Sequence, residues 1–257
     1  MQELVPTVFG SAGQFALACL VMLFVQAIYV LFGFGSGLLA LGLLAFLFPS
    51  VQDIVVVILL VSLPLELAIA WTARRQIAWR QVWLAGAGVL AGVPLGTWLL
   101  RIGRPEALLA ALAAFLVATG VTFVLLPAAL RVSWPRGSAT VAGLLGGILS
   151  GVFGTGGPPL IVYYRLAGAG KAVFRSNLMA IWLIVSLVRI PTYAVADLLT
   201  RPRCWSALLL LPAVLAGGWI GHRIHVQISE RTFQRAVAIA LALIGVILLF
   251  RHSWTGA

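Results

Sequence analysis

Ten apolar runs follow one another along the chain, near residues 11–32, 38–48, 53–72, 82–100, 106–127, 137–152, 158–166, 172–199, 205–225 and 232–250, separated by short arginine-bearing loops. A helix of about 20 such residues spans a bilayer. Barrel strands would instead alternate over about ten residues, and these runs do not. With 62% hydrophobic and 9% charged residues, against about a quarter charged in soluble domains, the chain is expected to be an all-α polytopic membrane protein. The net charge of +11 comes from basic residues scattered through the loops rather than gathered in one stripe. Membrane topology therefore accounts for them better than nucleic acid does. Cys19 and Cys204 lack CxxC or Cys/His spacing, so neither a disulfide, a metal site nor a cofactor is indicated. The N-terminus carries Glu3 and no basic region, and the first run is expected to stay in the membrane.

Two runs, 38–48 and 158–166, are too short to span alone, and each follows a glycine-rich break: FGSG at 34–37 and FGTG at 153–156. The coincidence extends further. LVSL at 60–63 recurs as IVSL at 184–187, LAGVPLG at 90–96 as LAGGWIG at 215–221, and Gly120 as Gly245. The chain reads as two homologous repeats, 1–130 and 137–257, forming together one membrane domain. If each broken segment crosses the membrane, the loop arginines and lysine divide eight to eight; if each turns back, they divide eleven to five. Because basic loops collect on the cytoplasmic side, re-entrant hairpins are expected, with three transmembrane helices per repeat, inverted repeats and both termini periplasmic.

Unwound backbone at membrane depth persists only where protein or a water-filled cavity satisfies it. The breaks therefore read as lining a site. Pro158 is expected to open one half-helix and Leu38 the other. Free N–H groups and the positive dipole end of each would attract an anion, between the tips and beside Gly33, Gly35, Ser36, Gly37, Gly154, Thr155, Gly156, Gly157 and Pro158. Glycine in a membrane helix can equally be a close-packing position, and the LAG motifs read that way. If the break glycines make room for the anion, Gly156→Leu or Gly35→Leu should stop transport in a protein that still folds. Ionisable groups inside spans mark a partner or a pathway. Arg189 is thus a candidate substrate charge and Glu66 a proton-coupling candidate, unless the two pair structurally. Asn177 is a further candidate for the second break. Asp197 is expected to pair with Arg201 at the surface, and His222 and His225 to lie at the interface.

GFGSG at 33–37 and GVFGTGGPP at 151–159, each opening one half of the chain, resemble the paired glycine motifs of the TauE/SafE sulfite-exporter family of bacterial membrane proteins. The resemblance implies a secondary transporter, not an enzyme. It would carry sulfite, organosulfonates or related small anions across the inner membrane, in contact with lipid and with a homodimer open to it. A rhomboid-type hydrolase would need Gly-x-Ser-Gly, but Phe34 stands two before Ser36. AGAGK at 167–171 lacks phosphate-loop spacing. A passive anion channel remains the alternative, since the same helix ends could line a pore.

Overall fold

The computed structural model describes residues 6–32, 36–125, 135, 137–167, 171–223 and 230–255. Among these the regular structure is helical: α1 (Ala12–Phe32), α2 (Ser36–Leu44), α3 (Val51–Ala73), α4 (Trp79–Ile102), α5 (Pro105–Leu125), α6 (Ser138–Phe153), α7 (Gly157–Leu166), α8 (Lys171–Val195), α9 (Arg201–Arg223) and α10 (Glu230–Thr255), with a 3₁₀ turn at Arg74–Gln76. Six helices are long and apolar enough to cross a membrane, namely α1, α3, α4, α5, α8 and α9. The half-helices begin slightly earlier than the apolar pattern suggests. α2 opens at Ser36 rather than Leu38, and α7 at Gly157 with Pro158 in its second position.

Two compact units emerge, and neither coincides with a half of the sequence. One takes Met1–Val61, Gly103–Leu126 and Thr200–Ala257, the other Ser62–Ile102 and Pro127–Leu199. Glycine packing explains why the halves interlace. In the second unit, Cβ atoms at Gly88, Gly92 and Gly96 of α4 would run into the backbone of Thr140, Leu144 and Ile148 of α6. Gly143, Gly147 and Gly151 of α6 face α4 in return, against Ala85, Val89 and Val93. Small residues four apart on both helices let the backbones touch along their length, and the contacts advance together, so α4 and α6 run parallel. The same motif acts in the first unit, where Gly217 and Gly221 of α9 lie on the carbonyls of Leu23 and Ala27 of α1.

Also in the first unit, a Cβ at Gly120 of α5 would lie 2.6 Å from Ala238 O and 2.8 Å from Ala242 N of α10, and one at Gly245 of α10 would lie 2.7 Å from Ala113 O and 2.9 Å from Val117 N of α5. Residue numbers rise on one helix as they fall on the other, so this pair is antiparallel. Gln14, in the first turn of α1, donates from Nε2 to Leu47 O at 2.5 Å, and Phe9 packs on Phe15 and Phe48. The chain beyond α2 therefore lies beside the start of α1. In the second unit, Thr140 near the start of α6 donates to Leu84 O at 2.9 Å, and Tyr164 near the end of α7 to Gln81 O at 3.3 Å. Both ends of that broken segment reach the first turns of α4.

Candidate functional site

The second break is built by three helices of one unit. α6 ends in a C-cap at Gly154, φ 73° and ψ 4°, whose N–H bonds Ser150 O. This left-handed turn costs an L-residue about 1–2 kcal/mol and glycine nothing. The chain then passes through Thr155, Gly154 and Thr155 being half-buried, to Gly156, the N-cap residue of α7, which makes no side-chain capping bond. A helix start leaves four N–H groups without partners in the helix. Here Pro158 and Pro159 have none to leave, so Gly156 and Gly157 supply the donors of this end. Prolines thus make an uncapped buried helix start tolerable, and they halve the donors that the sequence pattern alone would assign to it.

Gly156 does not border open space. A Cβ there would strike Gly146 O and Ser150 Oγ, both of α6. The expectation that Gly156→Leu leaves a folded protein is corrected accordingly, because its missing side chain lets α7 lie on α6. Gly157 differs. A Cβ there would meet Ile161 Cδ1 at 3.4 Å, Thr155 Oγ1 at 3.8 Å and Trp182 at 3.8 Å, which is ordinary contact. Ser150 is wholly buried and its hydroxyl has no hydrogen-bond partner among the described residues. Few buried polar atoms are left so, and this one lies against the start of α7.

Arg189 of α8 reaches the same place. Only 3% exposed, it donates from Nη1 to Gly154 O at 3.3 Å and from Nε and Nη2 to Tyr193 Oη at 3.2 and 3.0 Å. Tyr193 in turn donates to Gly151 O at 2.8 Å. These acceptors are neutral, and the Glu66 carboxyl of α3 lies near enough to act on the guanidinium electrostatically. Glu66 of α3 is half-buried and accepts from Ser186 Oγ at 2.5 Å. Its hydrogen bond thus goes to Ser186, one turn before Arg189.

Asn177 lies elsewhere. It is fully buried, its Oδ1 accepting from Ala78 N at 2.8 Å and its Nδ2 donating to Gln81 Oε1 at 3.0 Å, where it fastens α8 to the entry of α4. Of the first break, Gly33 and Gly35 lie outside the described residues; Ser36 opens α2 and Gly37 is half-buried. His225 also lies outside them, while His222 is exposed at the end of α9. Asp197 pairs with Arg101 at 3.2 Å rather than with Arg201. Its left-handed backbone, φ 58°, turns the chain at the end of α8 and carries the carboxylate back towards the end of α4. Sequence reasoning missed Ser150 and Tyr193. The second had a signal, since Arg189 and Tyr193 are four apart in a helix and so share a face.

Residues 18–248 match the model of the family described as "Sulfite exporter TauE/SafE". Among curated proteins, the chain is 29% identical over 221 residues to the "Probable sulfite/organosulfonate exporter TauE" of Cupriavidus necator, a match covering 84% of this chain and 86% of that protein. No solved structure matches.

Proposed function

The chain belongs to the TauE/SafE sulfite exporter family, and from that premise we propose that it exports sulfite or an organosulfonate across the bacterial inner membrane by alternating access. The observation that carries the site is the fully buried Ser150 hydroxyl, without a hydrogen-bond partner among the described residues, beside an uncapped helix start and a buried arginine. An oxyanion there would accept from Ser150 Oγ, from the Gly156 and Gly157 amides and from Thr155, and would be drawn by the charge of Arg189. Asn177, its amide already engaged, is left out of the set. Glu66, bonded to Ser186, stays the proton-coupling candidate.

Alternating access draws support from the architecture. Gly120 and Gly245 stand 125 residues apart, and so do Ala113 and Ala238, so each half's glycine meets the other half's alanine. Such reciprocity is what a two-fold relation between repeats produces. The antiparallel run of α5 and α10 fits repeats of opposite orientation, the plan of many secondary transporters. Four spans per half would have made that pair parallel. Three spans and a returning hairpin fit this pair, although α1 is itself long and apolar enough to cross, and the loop charges support a periplasmic position for both termini.

The test is a thermal-shift screen of purified protein against sulfite, sulfoacetate, isethionate and chloride, followed by flux in proteoliposomes. Sulfite or a sulfonate should raise the melting temperature, as ligands of the native state do. Flux should saturate and fall strongly in Arg189→Gln. No shift and no saturable flux with any of these anions, or an Arg189→Gln variant that transports normally, would reject the site; flux rising linearly with concentration would instead mark a channel.

A further inference from the structure

We propose that Tyr193 is a positioning residue for the Arg189 guanidinium, fixing it against the second break so that transport affinity depends on the Tyr193 hydroxyl. This rests on the anion site proposed above. A tyrosine hydroxyl has one proton to give and two lone pairs to receive with. All three are used here: the proton goes to Gly151 O at 2.8 Å, and the lone pairs receive Arg189 Nε and Nη2 at 3.2 and 3.0 Å. Tyr193 is fully buried, so no water would take over a lost bond.

What the hydroxyl is tied to matters as much as what it holds. A Cβ at Gly151 would lie 2.5 Å from Val93 O and 2.7 Å from Thr97 N of α4, so this carbonyl belongs to the rigid α4–α6 glycine pair. From there a linkage runs through Tyr193 Oη to Arg189 and on to Gly154 O. The arginine is thus referenced to the end of α6, and not only to its own helix, which carries a proline at 191 between the two side chains. The planar fork suits this, since Nε and Nη2 converge on one oxygen while Nη1 points to another. A lysine would bring the charge without the geometry.

Tyr193→Phe removes the hydroxyl and keeps the ring that lies beneath the guanidinium, whose carbon is 4.9 Å from the ring centroid. The measurement is sulfite flux in proteoliposomes for wild type, Tyr193→Phe, Arg189→Lys and Arg189→Gln, each with its melting temperature. We expect Tyr193→Phe to raise KM about tenfold, the usual order for a lost hydrogen bond to a charged group, with kcat within twofold. Arg189→Lys should behave the same way, because charge without the fork is misplaced. A purely structural Tyr193 would lower the melting temperature and the active fraction and leave KM at the wild-type value, and that result would overturn the proposal. If Tyr193→Phe does not fold, Arg189→Lys decides: a wild-type KM there means that position is irrelevant and charge alone suffices. Failure of the underlying site is separable, as it shows in Arg189→Gln transporting with wild-type KM.

Discussion

Gly156 and Gly157 are adjacent and chemically identical, yet the structure assigns them opposite responses to one added methyl group. At Gly156 the new Cβ would overlap Gly146 O and Ser150 Oγ, and the first of these is backbone in the middle of α6. It cannot rotate away, so the start of α7 must lift off. Overpacking of this kind costs about 1–3 kcal/mol, and a backbone obstacle puts Gly156→Ala near 3. For a chain of this size that is a fall of roughly 6–12 °C in melting temperature. At Gly157 the nearest atom would be Ile161 Cδ1 at 3.4 Å, so Gly157→Ala should melt within roughly 2 °C of wild type by the same scale. Its methyl group would nevertheless stand at the amide end where the anion is proposed to sit, raising KM for sulfite. Detergent-solubilised melting curves and proteoliposome flux for the two variants separate packing from binding. Equal melting temperatures would refute the packing argument, and an unchanged KM in Gly157→Ala would remove the α7 amides from the site.

Ser150→Ala should leave stability unchanged or slightly higher, since it deletes a buried group that has no partner among the described residues, while weakening the sulfite-induced thermal shift; a shift equal to wild type would deny the hydroxyl a role. Asp53→Asn should cost about 1–2 kcal/mol, between exposed and buried ion pairs, because Asp53 Oδ1 meets Arg203 Nε at 2.7 Å with side chains 26% and 14% exposed. Chemical denaturation would check it, and adding Arg203→Gln should recover part of the loss. Single cysteines placed after replacement of Cys19 and Cys204 should react from the periplasmic side in the Arg101–Arg104 loop and from the cytoplasmic side near Arg75; labelling of both from one side would contradict the proposed orientation.

The long apolar helices and the second interruption were legible because apolar periodicity and glycine runs are local signals. Which helices the glycines join was not. LAGVPLG and LAGGWIG announce close packing, but nothing in them says that Gly92 meets Leu144 and Gly217 meets Leu23. Partner choice is a property of two distant surfaces, and here it exchanges elements between the halves and redraws the compact units. A related loss occurs at Asp53 and Asn177. The spacing of 124 residues that relates the two VSL motifs also relates these two positions. Asp53 binds Arg203 in the first turn of α9, and Asn177 binds Ala78 and Gln81 at the entry to α4. On the proposed repeat these positions correspond, and they hold their neighbours by different chemistry, an ion pair in one half and amide hydrogen bonds in the other. From the sequence Asn177 reads as a ligand; its hydrogen bonds to Ala78 and Gln81 make it a fastening.

If the second break holds the anion as proposed, its prolines narrow what it can recognise. With Pro158 and Pro159 lacking N–H groups, the α7 start has fewer donors than an ordinary helix end, and a large oxyanion would be left partly unsatisfied. A small anion whose oxygens meet Gly156, Gly157, Ser150 and Thr155 would not. Charge then comes mainly from Arg189, whose removal from water into a site this buried is costly and is offset in part by its hydrogen bonds and by Glu66. On the proposed reading an arriving anion adds to that offset, and a neutral or cationic solute of the same size would add nothing. Selection by charge would therefore arise less from the number of contacts than from a cation held in place before the substrate comes, which is why the hydroxyl that holds it should matter to affinity.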